Sequence, residues 1–246
     1  MKLTQYDHSS LFYGHGVPIA APPPDKLTPR RLATRMQGKA WVNNTHMAMN
    51  FPVVCVGGSA VEMDAYVELL GCLPIDLGIA IVIIDNLNTV PELLLDTLPK
   101  CTKIPVVWIT DGLPILPDRV YILPAYGDLH VLDGKFLVTP KSKPTGWPDV
   151  ITIFLRSLSA HWHGKLVAVI LAGYDGDGAA ALRDVKEVVG TTIAQRVDTA
   201  RQTDMPLTAI ASGYIDLVLT IEDISQELIR IAKTASRDEA YPVAKA

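Results

Sequence analysis

The feature that most constrains the fold is a regular alternation of short apolar runs with segments of helical period. Most of the seven strand-like runs are apolar on successive residues, which is typical of strands covered on both faces in a parallel sheet. These predicted strands are Pro52–Gly57, Ile79–Ile84, Ile104–Ile109, Val120–Leu123, Leu166–Leu171, Thr191–Gln195 and Ile215–Leu219. The helical segments are 60–70, 91–98, 149–160, 179–188, 208–212 and 224–234. The alternation predicts an α/β fold: a three-layer, doubly wound, mainly parallel sheet of about seven strands.

One segment outside this alternation has the signature of a β-hairpin. Leu129–Leu132 and Lys135–Val138 are short apolar stretches that flank Asp133-Gly134. An Asp-Gly pair between two such stretches is a common two-residue hairpin turn. We therefore expect one hairpin beside the parallel sheet.

The first fifty residues differ in composition from the rest. They carry Pro18 and the run Pro22–Pro24, followed by the basic stretch Lys26–Arg35, with no sustained period. Such sequence is typical of an extended arm or linker. The predicted organisation is an arm over residues 1–50, an α/β domain over residues 51–234 and a tail over residues 235–246.

Composition and charge argue against several classes of protein. The formal net charge is −4, which gives no electrostatic reason to expect nucleic acid or an anionic membrane as partner. No stretch approaches the roughly 18 apolar residues that membrane insertion requires, and the first residues do not resemble a signal peptide. Cys55, Cys72 and Cys101 lack the spacing of a disulfide or zinc framework. Three reduced thiols in a cytoplasmic protein are therefore predicted.

Ser59 is the first candidate functional residue, because ligands of such sheets bind beyond the carboxyl ends of the strands. It follows a buried strand and opens a helix, so its hydroxyl and the nearby amides could act as nucleophile and oxyanion donors. The G-x-S-x-G pattern of a nucleophile elbow is broken, since residue 61 is valine. The alternative is a capping box, in which Ser59 and Glu62 satisfy each other's amides.

Asp177 is the second candidate, within the glycine-rich turn 173–178. It could orient a catalytic histidine, or it could cap the helix that follows it. Asp175 and Asp177 also resemble the start of a calcium loop. The remaining ligand positions are missing, so no metal and no cofactor are predicted.

No histidine lies in a predicted strand-end loop where it could serve Ser59 as a base. His130 lies in the hairpin, and His161 and His163 end a predicted helix. The two neighbouring histidines suit the carboxyl end of a helix, where cations are favoured.

The order of these segments along residues 51–232 resembles one known family. The matching segments are VCVGGSA, IVIIDNLN, VYILPA with LHV, WPDVITIFLRSL, VILAGYDGDGAAAL, and TTIAQ with DMPLTAIASGYIDLVL. They resemble the catalytic domain of the CheB-type protein-glutamate methylesterases of bacterial chemotaxis. The resemblance implies hydrolysis of glutamate methyl esters on chemoreceptors, with deamidation of glutamines in many members, by a Ser-His-Asp triad on a doubly wound sheet.

Carried over by position, the family's serine falls on Ser59, its aspartate on Asp177 and its histidine on Asn86. Ala60, Val61 and Glu62 stand where the family has a hydroxyl residue and two glycines, and Asp175 replaces a glycine of the aspartate turn. Asparagine cannot take the proton of a serine at neutral pH. The resemblance therefore implies a degenerate triad. His130 or Asp85 as a substitute base would need an arrangement that the sequence does not predict.

Three functions are consistent with these residues. The favoured one is a chemosensory signalling protein, weak or inactive as an enzyme, that binds a chemoreceptor tail or another signalling protein. The alternative is an active serine hydrolase that demethylates or deamidates receptor glutamyl side chains. A third is a repurposed site that binds another small ligand at residues 57–60, although Glu62 and Asp175 disfavour an anion there. The arm is too short for the phosphoreceiver domain of the family's regulators, so we expect control by phosphorylation to come through another protein.

Overall fold

A seven-stranded parallel sheet forms the centre of the computed structural model, which describes residues 50–59, 62–86, 91–123, 127–143 and 149–240. Along the chain, the strands are β1 (Val53–Gly58), β2 (Ala80–Asp85), β3 (Val106–Trp108), β4 (Arg119–Ile122), β5 (Gly127–Leu132), β6 (Lys135–Pro140), β7 (Leu166–Ile170), β8 (Thr191–Gln195) and β9 (Leu217–Leu219). The sheet order is β3-β4-β2-β1-β7-β8-β9, and β5 and β6 form a separate antiparallel pair. Each predicted strand and the predicted hairpin have a counterpart, so the predicted fold class is confirmed.

Helices cover both faces of this sheet. They are α1 (Met63–Gly71), α2 (Pro91–Cys101), α3 (Val150–His161), α4 (Leu182–Glu187), α5 (Asp204–Ala211) and α6 (Ile221–Ala240). Short 3-10 turns at Ala179–Ala181 and Val197–Thr199 precede α4 and α5. Successive strand residues face opposite layers: Val53 and Cys55 pack against α3, α4, α5 and the hairpin, whereas Val54 and Val56 pack against α1, α2 and α6. Both faces are apolar, which explains why the strands are apolar on successive residues.

Some helix ends differ from the predicted ones. Helix α5 begins at Asp204, before Pro206, because a proline in the first turn of a helix sacrifices no intrahelical hydrogen bond. Helix α6 runs from Ile221 to Ala240, beyond both predicted ends, with Ile221 and Ala235 among its buried residues. None of the described helices is both long and apolar enough to span a membrane. Residues 1–49 of the predicted arm lie outside the described residues, as do residues 241–246.

Candidate functional site

The ends of three adjacent strands bring the candidate residues to one edge of the sheet. Strand β1 lies between β2 and β7, with Gly58 in register with Asp85. The amide of Ser59 donates to the carbonyl oxygen of Ala172, after β7, at 3.0 Å, and the amide of Asn86 donates to the carbonyl oxygen of Gly58 at 2.8 Å. The backbone around Ser59 is therefore hydrogen-bonded to both neighbouring loops.

Ser59 is completely buried, and it does not begin the helix that follows. The amide of Glu62 donates to the backbone carbonyl oxygen of Ser59 at 2.8 Å, which makes a tight turn before α1 begins at Met63. Glu62 itself occupies the N-cap position, and no side chain caps α1. The N-cap of α1 is thus Glu62, and the reciprocal bonds of the capping box at Ser59 stay a prediction.

Two glycines allow the backbone to approach closely at this edge. A Cβ atom on Gly173 would lie 2.2 Å from Sδ of Met205 and 3.2 Å from the amide nitrogen of Ser59. A Cβ atom on Gly58 would lie 2.7 Å from the hydroxyl oxygen of Tyr66. Because a real Cβ atom would not be tolerated at these distances, both positions require glycine while their neighbours stay in place.

Asn86 is also completely buried, and only the nitrogen of its side-chain amide has a hydrogen-bond partner among the described residues. Its Nδ2 atom donates to the carbonyl oxygen of Tyr174 at 2.7 Å. Its Oδ1 atom has no hydrogen-bond partner within the described structure. Across those same residues, no hydrogen bond joins Asn86 to Asp177. Asn86 is thus held by the turn after β7, but not by the carboxylate that the resemblance pairs with it.

The carboxylate of Asp177 binds the first turn of α3. Its Oδ2 atom accepts from the amide of Ile151 and its Oδ1 atom from the amide of Thr152, both at 2.9 Å. A second bond joins the same two segments: the Oγ1 atom of Thr152 accepts from the amide of Gly178 at 2.8 Å. The alternative that Asp177 caps its own following helix is therefore wrong, because it caps a helix that precedes it by 26 residues. A carboxylate suits that position, since helix amino ends carry partial positive charge.

Asp175 replaces glycine at a position whose backbone has a left-handed conformation, with φ of +62°. Its Oδ1 atom accepts from the amide of Asp177 at 2.6 Å, which helps aspartate to adopt this conformation. Burial raises the pKa of Asp175, and burial also raises the pKa of Asp177 despite the amides that stabilise its anion. Two carboxylates therefore lie together where the resemblance implies one.

The described histidines lie elsewhere. His130 belongs to β5, where the neighbouring amide of Val131 donates to Ser157, in the second half of α3. His161 ends α3, whereas Asp177 binds the opposite end of that helix. A role for His130 as a substitute base stays a prediction.

Two positioning residues were not predicted as such. Gln195 is buried at the end of β8; its Oε1 atom accepts from the amide of Ala172 at 2.8 Å, and its Nε2 atom donates to the carbonyl oxygen of Thr199 at 3.1 Å. It therefore ties the loop beside Ser59 to β8. Tyr66 lies on the buried face of α1, where helical periodicity predicts only core packing. In the described residues, no group of His, Cys, Asp or Glu side chains is arranged to hold a metal ion.

Known proteins share this fold and these segments. The family model of the CheB methylesterases matches residues 54–228. The protein-glutamate methylesterase/protein-glutamine glutaminase 4 of Burkholderia thailandensis is 29% identical over 208 residues, which cover 83% of this chain and 61% of that relative. A putative protein of the same name from Leptospira interrogans is 29% identical, covering 74% of this chain and 96% of the relative. The crystal structure of the Thermotoga maritima CheB methylesterase catalytic domain matches with a TM-score of 0.68 and 26% identity, over 74% of this chain and 98% of that one.

The relatives differ in how much of their own length is matched. The chain spans 61% of the Burkholderia thailandensis relative and 54% of a Burkholderia pseudomallei methylesterase/glutaminase, but almost all of the Leptospira interrogans relative. The shared part is the catalytic domain defined by the Thermotoga maritima structure. Because the family model spans most of the α/β domain, this chain belongs to the CheB methylesterase family.

Proposed function

We propose that this CheB-family protein acts in chemotaxis signalling by binding a partner, and that its hydrolytic activity is absent or very weak. The observation that carries the proposal is the burial and hydrogen bonding of Asn86, which lies where the resemblance places the catalytic histidine. Its side-chain amide is fully buried and donates to the carbonyl oxygen of Tyr174 at 2.7 Å; no hydrogen bond among the described residues joins it to Asp177, and it carries no titratable nitrogen.

Loss of the base removes the step that activates the serine. In a triad, the histidine takes the serine proton and later gives it to the leaving group, and asparagine can do neither. In a well-studied serine protease, loss of the histidine lowers the turnover number by about a million-fold. Oxyanion donors alone would leave only a small residual acceleration over water.

The remaining neighbours of Ser59 also oppose ester hydrolysis. Asp175 adds a carboxylate to the loop after β7 where the resemblance implies a glycine, and Glu62 lies three residues after Ser59. Ser59 is 0% exposed, so an ester could reach it only after part of the covering chain moved. Each feature raises the barrier further, because oxyanion stabilisation depends on donors rather than on nearby anions.

The proposed partner is the cytoplasmic tail of a chemoreceptor or another chemosensory signalling protein, which would place this protein in the cytoplasm. Support comes from the relatives named protein-glutamate methylesterase/protein-glutamine glutaminase, since those names describe action on glutamyl and glutaminyl side chains of proteins. A binding protein of this family would keep the surface that meets such a side chain while losing the chemistry.

The alternative is an active hydrolase with Ser59 as nucleophile. It is favoured by the position of Ser59, which directly follows the central strand β1 at the edge where the loops after β2 and β7 also meet. This alternative needs a base that Asn86 cannot supply.

Methanol release from a methylated chemoreceptor fragment tests the choice between the two. The natural protein and its Ser59→Ala variant should both release methanol at the uncatalysed rate. Asn86→His combined with Asp175→Gly restores the base and the glycine, and we expect methanol release above background, at least about tenfold, that disappears when Ser59→Ala is added. Activity of the natural protein that depends on Ser59 would overturn the proposal.

A further inference from the structure

The carboxyl end of helix α4 has valine at a position where glycine is the usual residue. The amide of Gly190 donates to the carbonyl oxygen of Val185 at 2.9 Å, and the amide of Val189 donates to the carbonyl oxygen of Lys186 at 3.0 Å. These two bonds form a Schellman motif, in which the first residue after the C-cap, here Val189, has a left-handed backbone, with φ of +61°. A β-branched residue in this conformation costs free energy that glycine would not cost.

The side chain of Val189 makes little contact with the rest of the described structure. It is 91% exposed, the largest exposed fraction among the large apolar side chains of that structure, and the preceding Val188 is 45% exposed. The glycine that follows is needed for a separate reason, because a Cβ atom on Gly190 would lie 2.6 Å from Cγ1 of Val185. A strained and exposed valine of this kind is expected where the side chain contacts another molecule.

Val189 lies at the rim of a cavity at the amino ends of β7 and β8. The cavity has a volume of about 200 Å³ and lies against α6, with walls that include the buried side chains of Leu166 and Ile231. Pockets for drug-sized ligands have roughly 300–1,000 Å³, so this smaller cavity suits a single side chain. It lies at the edge of the sheet opposite to Ser59, because β1 and β7 are parallel and Ser59 follows the carboxyl end of β1.

The charged side chains among the described residues that line this cavity are Lys165 and Arg230, and both are cations. Arg230 also pairs with Glu227, through Nε at 2.7 Å and through Nη2 at 2.5 Å. These bonds use two of the five donors of the guanidinium group. An aliphatic side chain in the cavity would therefore place a neighbouring carboxylate beside two cations.

Charge distinguishes among three kinds of occupant. A second copy of this chain, related by a two-fold axis, would bring the same cations towards each other. An anionic membrane would face the whole chain, whose formal net charge is −4. A single carboxylate beside Lys165 and Arg230 responds mainly to these neighbours, since exposed charges more than about 8–10 Å away are largely screened. An acidic protein segment is therefore favoured.

We propose that Val189 and the cavity beside it form a docking site for a protein segment in which a branched aliphatic residue is flanked by acidic residues. The aliphatic side chain packs in the cavity against Val189, Leu166 and Ile231. The carboxylates on either side of it contact Lys165 and Arg230. This inference rests on the proposed function, the binding of a signalling partner, and it places that contact at the edge of the sheet opposite to the candidate functional site.

The test uses the full chain and three acetylated and amidated hexapeptides. The probe is Glu-Glu-Leu-Leu-Glu-Glu; one comparison peptide has lysine in place of glutamate, and the other has serine in place of leucine. Binding is followed by the backbone amide shifts of residues 189–191 and 230–234 in nitrogen-proton correlation spectra. The probe should shift these amides and bind at least about fivefold more tightly than either comparison peptide, and its affinity should fall as salt is added.

Val189→Gly is the decisive variant. It should weaken binding of the probe by at least about threefold and raise the melting temperature, because the side chain contributes to the contact but strains the unbound protein. These opposite directions exclude unfolding as the cause of weaker binding. The matched control is Asp133→Gly, which replaces another residue with a left-handed backbone, with φ of +50°, in the hairpin turn. That control should keep the affinity for the probe.

Arg230→Gln tests the contribution of charge. It should weaken binding of the probe by at least about threefold and reduce the dependence of the affinity on salt. The matched control is Arg196→Gln, which breaks another exposed ion pair, between Arg196 and Asp198 at 2.6 Å, at the other edge of the sheet. That control should change neither the affinity nor its salt dependence.

Each outcome decides the question. Weaker binding by Val189→Gly and Arg230→Gln, with both controls unchanged, would establish the docking site. Equal binding of the three peptides, or no binding of the probe, would overturn it and leave the partner to bind at another surface. Shifts of the same amides with protein concentration alone would identify a second copy as the occupant, and sedimentation with anionic phospholipid vesicles without binding of the probe would identify a membrane; either result would overturn the proposal. Methanol release that depends on Ser59 would overturn the proposed function and leave the docking site standing.

Discussion

Replacement of Asp177 by alanine should reduce the stability of the protein strongly, because this carboxylate supports helix α3. Its two oxygens accept from the amides of Ile151 and Thr152, at 2.9 Å each, in the first turn of that helix. The residue is 6% exposed, so water cannot replace the carboxylate without a rearrangement of the loop. The variant leaves two buried amides without their acceptor.

The magnitude follows from these two bonds. A hydrogen bond to a charged group contributes about 1.5–3 kcal/mol, and the helix amino end adds a favourable interaction of about 0.3–2 kcal/mol. Burial of the carboxylate, which raises its pKa, offsets part of this gain. We expect a loss of about 2–4 kcal/mol in the free energy of unfolding, or roughly 5–12 °C in melting temperature for a domain of this size. Asp177→Asn keeps one acceptor oxygen and should lose about half as much.

Thermal and urea unfolding followed by circular dichroism measure this loss. The matched control is Asp184→Ala, which removes another carboxylate that contacts α3, through Arg156 at 3.2 Å. That ion pair is largely exposed, with 58% and 37% of the two side chains accessible, so its loss should cost less than about 1 kcal/mol. The reasoning would be refuted if Asp177→Ala melted within about 1 °C of Asp184→Ala. Such a result would mean that the carboxylate is not needed by the fold and is free for a catalytic role.

Three further predictions concern the fold and the acidic turn. Val189 has a left-handed backbone, with φ of +61°, and its side chain is 91% exposed. Val189→Gly should therefore raise the free energy of unfolding, measured in urea, by about 0.5–1 kcal/mol. A lower free energy of unfolding would contradict the idea that Val189 is strained. Gly173→Ala places a Cβ atom 2.2 Å from a buried methionine sulfur and should cost about 1–3 kcal/mol, whereas Gly71→Ala, whose Cβ atom would meet nothing closer than 3.6 Å, should be nearly neutral. Because burial raises the pKa of Asp175, the Asp175 carboxyl stays protonated in the folded protein at pH values where it is ionised in the unfolded chain. This difference in protonation adds to the free energy of unfolding below the ordinary aspartate pKa, and the added stability is lost as pH rises through the raised pKa. Asp175→Asn should therefore flatten the fall in melting temperature between the ordinary and the raised pKa.

The candidate site shows where prediction from local pattern succeeds and where it fails. The positions of Ser59 and Asn86 follow from the ends of two apolar runs, because parallel strands end at the same edge of a sheet. The partner of Asp177 could not be predicted in this way. Aspartate before a helix suggests a cap of that helix, yet the carboxylate binds the amide of Ile151, 26 residues earlier, in the first turn of α3.

The sequence by itself determined the fold class, the number of strands in the main sheet, the hairpin and the family, and it predicts that Asn86 stands where the family has its histidine. Apolar periodicity and turn residues carry this information because they depend on neighbours a few positions away. Only the tertiary structure decided that β1 lies between β2 and β7, that Asp177 supports α3, and that the side chain of Asn86 binds the loop after β7. These facts depend on contacts between residues far apart in the chain, and the balance of donors and acceptors at such contacts exists only once the chain has folded.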